Sequence, residues 1–185
     1  CNNDNNPMDG NRHGTHVAGT IAAASNNGLQ VSGVAWNTKL VALKFLSDRG
    51  WGSISDAIDA VAYCTAMDFP ISNNSWGGGG SSRAMKEAID RAGQNGHLFC
   101  AAAGNSGTNN DSKPHYPSNY TSPNVLSVAA SDSADRLASF TCYLHLLPSP
   151  TFSSLTFPSL ASFTCFLHLL PSLASFICVL HLLHS

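Results

Sequence analysis

His13-Gly14-Thr15-His16-Val17-Ala18-Gly19-Thr20-Ile21-Ala22-Ala23 is the stretch on which the reading of this chain turns. A histidine stands where a polar loop gives way to a run of small apolar residues, the pattern of a loop-to-helix junction, and a helix is predicted from about Thr15 to Ala24. Small side chains let that helix pack close to its neighbour, which fixes the direction of the imidazole. A base that must take a proton from a nucleophile needs such a rigid mount. Past the helix, Asn26-Asn27-Gly28 is a turn signal.

Outward from this helix, short apolar runs alternate with amphipathic segments. Lys39–Leu46 reads as a buried strand, and Ser53 or Ser55 caps a helix through Met67 with Ile54, Ile58 and Val61 on one face. Ile71–Ser75 is a second strand; Ser81 or Ser82 caps a helix to about Asn95, closed by Gly96. His97–Ala103 and Val125–Ala130 complete the set of strands. Strands separated by helices imply right-handed crossovers and a parallel sheet covered by helices, an α/β fold. In such sheets the working residues gather at the carboxyl ends of the strands.

The chain has two unlike parts. Residues 1–140 read as one globular unit, and 141–185 as a low-complexity tail whose repeat unit begins at 137. No charged side chain follows Arg136. Leu137–Ser149 returns as 160–172, and again as 173–185 with Ile177, Val179 and His184 substituted. Near-identity of this kind records a tandem duplication and not a solenoid, whose repeats are longer. Prolines at 148, 158 and 171 keep the apolar runs short of the ~20 residues that a spanning helix needs. The tail is therefore expected to be an ill-packed, aggregation-prone appendage. His145, His168 and His181 ride along with the repeat, so a metal site built on them, or on His13 and His16, is the weakest of the functional readings.

A net charge of −2 gives no reason to expect nucleic acid or an anionic membrane as a partner. Cys64 and Cys100 lie in apolar settings and read as inert core residues, and the cysteines as a set form neither a disulfide framework nor a zinc pattern. The chain opens on polar residues without a methionine or a signal-like run, so its N-terminus reads as a cut edge and its compartment is not encoded.

Two loops carry further chemistry. Ser75-Trp76-Gly77 runs on into Gly78-Gly79-Gly80, a bare backbone against which an extended peptide can pair main chain to main chain. Taken alone, this stretch reads first as a flexible turn. Ala101-Ala102-Ala103-Gly104-Asn105-Ser106-Gly107 ends a buried strand in a tight loop. An amide held there is a neutral donor of fixed aim, suited to an oxyanion. By itself the loop reads as readily as an Asn-Gly-type turn.

Together, and in this order, His13–Thr20, Asn73–Gly78 (N-x-S-x-G-G) and Ala102–Asn105 (A-x-G-N) resemble the signatures of the subtilisin-like serine proteases, the subtilases. The resemblance covers roughly Asn2 to Phe140, about half of a usual catalytic domain. It implies a partial subtilisin-like fold and a serine-type endopeptidase acting on peptides or proteins. His13 would be the general base and Asn105 the oxyanion donor. Ser75, Trp76 and Gly77 would form one wall of the substrate cleft and Ala102, Ala103 and Gly104 the other. His16 takes a packing or hydrogen-bonding role, and Trp76 is bulkier than the usual apolar residue at its place.

The family order is Asp…His…Ser. Asp4 and Asp9 lie too near His13 to be the expected aspartate, and no Gly-Thr-Ser-Met-Ala segment stands in the chain; Ser106 sits on the wrong loop. The sequence is thus expected to be a fragment, inactive and only marginally folded when made alone, because losing Ser or His from such a triad costs on the order of 10⁶-fold in rate. The alternative is a non-catalytic pseudoprotease that binds peptides. No cofactor is implied. Calcium, which subtilases often bind after the histidine helix, would have Asn26 and Asn27 as donors in Ser25–Val31, although an ordinary turn is the simpler reading. Asn2–Asp9 reads as a solvated loop.

Overall fold

A computed structural model describes residues 5–29 and 31–143, together with the backbone of 176–180. In chain order the elements are α1 (His13–Ala22), β1 (Lys39–Leu43), α2 (Ile54–Ala66), β2 (Ile71–Asn74), α3 (Arg83–Gln94), β3 (Leu98–Ala102), β4 (Val125–Val128) and β5 (Phe176–Leu180). The strands pair in parallel throughout, in the order β1-β5-β2-β3-β4.

Alternation along the strands divides the core between the two faces of the sheet. Val41, Leu43, Phe99, Ala101 and Val125 point to α2 and α3. The helices answer with stripes at helical spacing: Ala57, Ala60, Val61 and Cys64 on α2, and Met85, Ala88, Ile89 and Ala92 on α3. Leu40, Ile71, Leu98, Cys100 and Leu126 point the other way, to Val17, Ile21 and Ala22 of α1. Fully buried Phe99, Met85, Ile89 and Val61 each contribute about 1.5–3 kcal/mol by leaving water. Cys64 and Cys100 are core residues, and burial pushes the Cys100 thiol up to about 12.

The expected α/β architecture is present, with differences that have local causes. Ser53 and Ser82 are the helix caps, accepting from Asp56 N and Met85 N. Ile54 is exposed, so the buried stripe of α2 is Ala57-Ala60-Val61-Cys64 and not the face through Ile54. β1 stops at Leu43 because Phe45 and Leu46 turn away into the core, where Phe45 meets Trp76 edge to face at 5.1 Å. No described helix is long and apolar enough to cross a membrane.

The tail differs most from expectation. Residues 176–180 enter the sheet between β1 and β2, with Ile177 opposite both Leu40 and Ile71. This third copy of the repeat carries β-branched Ile177 and Val179 where the first has Thr141 and Tyr143, which suits it to a strand. The first copy does something else. Phe140 O and Tyr143 O accept from Gly107 N and Asn110 N, and Cys142 N donates to Gly104 O, so it braces the loop after β3. His145, His168 and His181 lie outside the described residues.

Candidate active site

β2 and β3 are neighbours with Asn74 opposite Ala101, so the loops that leave them emerge side by side at the carboxyl end of the sheet. Ser75, Trp76 and Gly77 continue from one strand; Ala103, Gly104 and Asn105 continue from Ala102 at the end of the other. α1 packs on the sheet through Val17, Ile21 and Ala22. Its C-terminal turn is held by Val34 N and Ala35 N, which donate to Thr20 O and Ile21 O just before β1 begins. The two loops singled out from the sequence thus leave the same end of the sheet.

His13 is the first residue of α1 and is half-buried. The N-cap, Arg12, has a left-handed backbone (φ 81°) and supplies no side-chain cap. Asp9 does so instead. Its Oδ1 accepts from Asn11 N (2.8 Å) and Arg12 N (2.9 Å), and its Oδ2 from Thr15 N and Thr15 Oγ1 (2.8 Å each). A carboxylate at this end also meets the positive pole of the helix. Asp9 is therefore part of the mount for His13 and not a residue of a solvated loop. His16 is exposed on the same helix, one turn on.

Trp76 is buried and rigidly held. Its Nε1–H donates to Asn74 Oδ1 (3.2 Å), and Asn74 Nδ2 donates to Ser72 Oγ (2.8 Å). Ser72 Oγ lies 2.8 Å from His97 Nε2, and His97 Nδ1 lies 2.6 Å from Phe69 O. A carbonyl only accepts, so Nδ1 carries the proton and Nε2 accepts from the serine. With the imidazole neutral, every proton in the chain Trp76–Asn74–Ser72–His97–Phe69 is then assigned. Burial lowers the His97 pKa accordingly, against the opposing pull of Phe69 O. Nothing in the sequence marked His97 beyond its place at the start of a strand.

The loop bearing Asn105 is pinned from below. Asn110, fully buried, donates from Nδ2 to Ala103 O (2.8 Å), and Asn119 Nδ2 donates to Asn110 O (2.9 Å). Gly104 has φ +107°, a conformation that glycine adopts without strain. Asn105 itself is exposed at the tip, its amide open to a ligand. Trp76 and Ala103 are covered by protein and Ala102 is half-buried, whereas Gly77 and Asn105 face solvent.

The loop after α1 is a turn: Asn26 is left-handed (φ 58°), Gly28 likewise (φ 75°), and Asn27 Oδ1 accepts from Leu29 N. No carboxylate occurs in Ser25–Val31, and Asn27's oxygen is already engaged. Nor do described His, Cys, Asp and Glu side chains group in threes anywhere.

A parallel α/β sheet with a histidine helix and two glycine-bearing loops at its carboxyl edge defines the class, and comparison narrows it. A profile of the subtilase family matches residues 1–162. The chain belongs to that family. It is 40% identical over 141 residues to a thermophilic serine proteinase of Bacillus sp. (strain AK1), covering 76% of this chain and 34% of that protein. It is 43% identical over 133 residues to subtilisin DY of Bacillus licheniformis, covering 71% of this chain and 47% of that protein. Among solved structures it superposes on the psychrophilic subtilisin-like protease Apa1 of Pseudoalteromonas sp. AS-11 with a TM-score of 0.66 at 39% identity, covering 78% of this chain and 32% of that one. The chain thus spans between about a third and a half of the length of these relatives.

Proposed function

We propose that this polypeptide carries the general base, the oxyanion donor and two cleft walls of a serine endopeptidase. The observation that carries the reading is the emergence of Ser75–Gly77 and Ala102–Asn105 side by side from β2 and β3, with His13 opening the helix whose Val17 and Ile21 pack on the same strands. Family membership puts peptides and proteins first as substrates. An extended peptide lies against the bare backbone of Gly77–Gly80 and pairs with it main chain to main chain. Asn105 then donates to the scissile carbonyl oxygen as it gains charge, with no reorganisation needed. His13 takes the proton of a serine hydroxyl as that oxygen attacks, and returns it to the leaving amine.

The 185 residues contain no Gly-Thr-Ser-Met-Ala segment to supply that hydroxyl. This polypeptide by itself is therefore proposed to bind peptides without cleaving them. The test is a nuclear magnetic resonance titration with an N-acyl tetrapeptide ending in a free carboxylate, which mimics a cleaved product. The His13 ring protons and the Asn105 side-chain amide should move together along one binding curve. The reading fails if only one of them responds, or if peptide hydrolysis appears that His13→Ala abolishes.

A further inference from the structure

His115 was not singled out by the sequence, yet its ring lies at the heart of the cleft. A Cβ built on Gly77 would collide with His115 Cε1 and come within 2.5 Å of Nε2. A Cβ built on Gly104 would come within 3.0 Å of His115 Cδ2 and 3.1 Å of Cγ and Nε2. One imidazole therefore touches the bare backbone of both walls, on the side of each glycine where a side chain would project. Any side chain on either glycine itself would displace the ring, so the ring is seated directly against both walls. We propose that the His115 ring fills the slot between the Gly77 and Gly104 walls and restricts the peptide side chain admitted there to small ones such as alanine.

The ring is mounted to stay. His115 N donates to Asn119 Oδ1 (2.9 Å), and its carbonyl accepts from Asn119 N (2.9 Å) and Ser118 Oγ (2.7 Å). Because the serine proton goes to that carbonyl, Ser118 Oγ accepts from His115 Nδ1–H at 3.2 Å. One bond at Nδ1, with the main chain held on both sides of Cα, thus orients the ring and leaves the Nε2 edge toward the glycines. The next residue ties in the wall itself, since Gly78 N donates to Tyr116 O (3.0 Å). A phenyl-sized side chain could enter only by displacing a ring that is hydrogen-bonded and braced. A methyl group needs far less of the slot, and pockets separate such substrates by shape alone.

This inference rests on the cleft proposed above, and its test separates the two. Fluorescently labelled N-acyl tetrapeptides ending in alanine or in phenylalanine are titrated into the 185-residue chain and into its His115→Ala variant, followed by polarisation. The native chain should bind the alanine-ended peptide about 10-fold more tightly, and His115→Ala should reverse that order. An unchanged ratio in the variant overturns the role of His115 and leaves the cleft standing. Failure of both peptides to bind either protein overturns the cleft and this inference with it. A second measurement needs no ligand: Gly77→Ala should lower the urea midpoint of the native chain clearly and that of His115→Ala little. Equal losses in both backgrounds would show that the ring does not fill the slot.

Discussion

Replacing Asp9 should loosen the whole start of α1. Its carboxylate receives two backbone amides of the approach loop, Asn11 N and Arg12 N, and from the first helical turn both Thr15 N and Thr15 Oγ1. Water can reach this exposed helix end, so the four bonds do not each count at the strength of buried ones. Loss of a strong N-cap costs up to ~2 kcal/mol, and loss of a charge at the positive helix pole a further ~0.3–1. With partial replacement by water, Asp9→Ala should cost about 2 kcal/mol. Asp9→Asn keeps an acceptor oxygen but not the charge, and should cost about half of that, ~1 kcal/mol. In urea, with a slope near 2 kcal/mol per molar, the alanine variant's midpoint should fall by about 1 M. Hydrogen exchange adds the local test, since the amide of Thr15 should lose protection before amides of α2 do. A midpoint within about 0.2 M of the parent, with Thr15 protection unchanged, would refute the assignment of Asp9 as the mount of His13.

Further predictions concern the residues that hold the cleft. His97 has a folded-state pKa below its unfolded value, so the unfolded chain binds more protons as the pH falls. Its contribution is therefore fully present above about pH 6.5 and is lost as the pH drops from there through the folded value. Acid-dependent loss of midpoint should be shallower in His97→Gln, and an identical pH slope in that variant would remove His97 from the account. Gly33→Ala would place a Cβ within 2.6 Å of the Ala22 backbone, so α1 must shift at a cost of about 3 kcal/mol in a denaturation curve. Asn110→Ala leaves Ala103 O without its buried donor and should cost ~2 kcal/mol, with weaker binding of product peptides. Binding at parental strength would show that the loop bearing Asn105 is positioned without it.

The helices and strands were legible because their signals are local. Ser53 and Ser82 stand directly before amphipathic runs, and Lys39–Leu43, Ile71–Asn74 and Leu98–Ala102 are short apolar or half-apolar stretches bounded by turns. The principal site loops were legible for another reason: glycine-rich runs that end strands constrain backbone in a way that sequence order displays. What stayed hidden depends on partners distant in the chain. Asp9 caps across an intervening left-handed residue, so no adjacent cap position reveals it. His97 acquires meaning only from Ser72 on the next strand, and His115 only from glycines on two other loops. The third repeat copy has the composition of a strand, but no local feature says that its neighbours are β1 and β2.

That last arrangement sets the order in which the molecule can be assembled during synthesis. β1 and β2 leave the ribosome early, yet the strand that joins them is the last of the described elements to be translated. At about 5–20 residues per second, seconds pass in which two inward-facing backbone edges have no permanent occupant. Throughout that interval the nascent chain offers any passing extended apolar segment a ready-made berth. Vectorial synthesis therefore leaves the middle of the sheet to be closed after both of its flanks have been made.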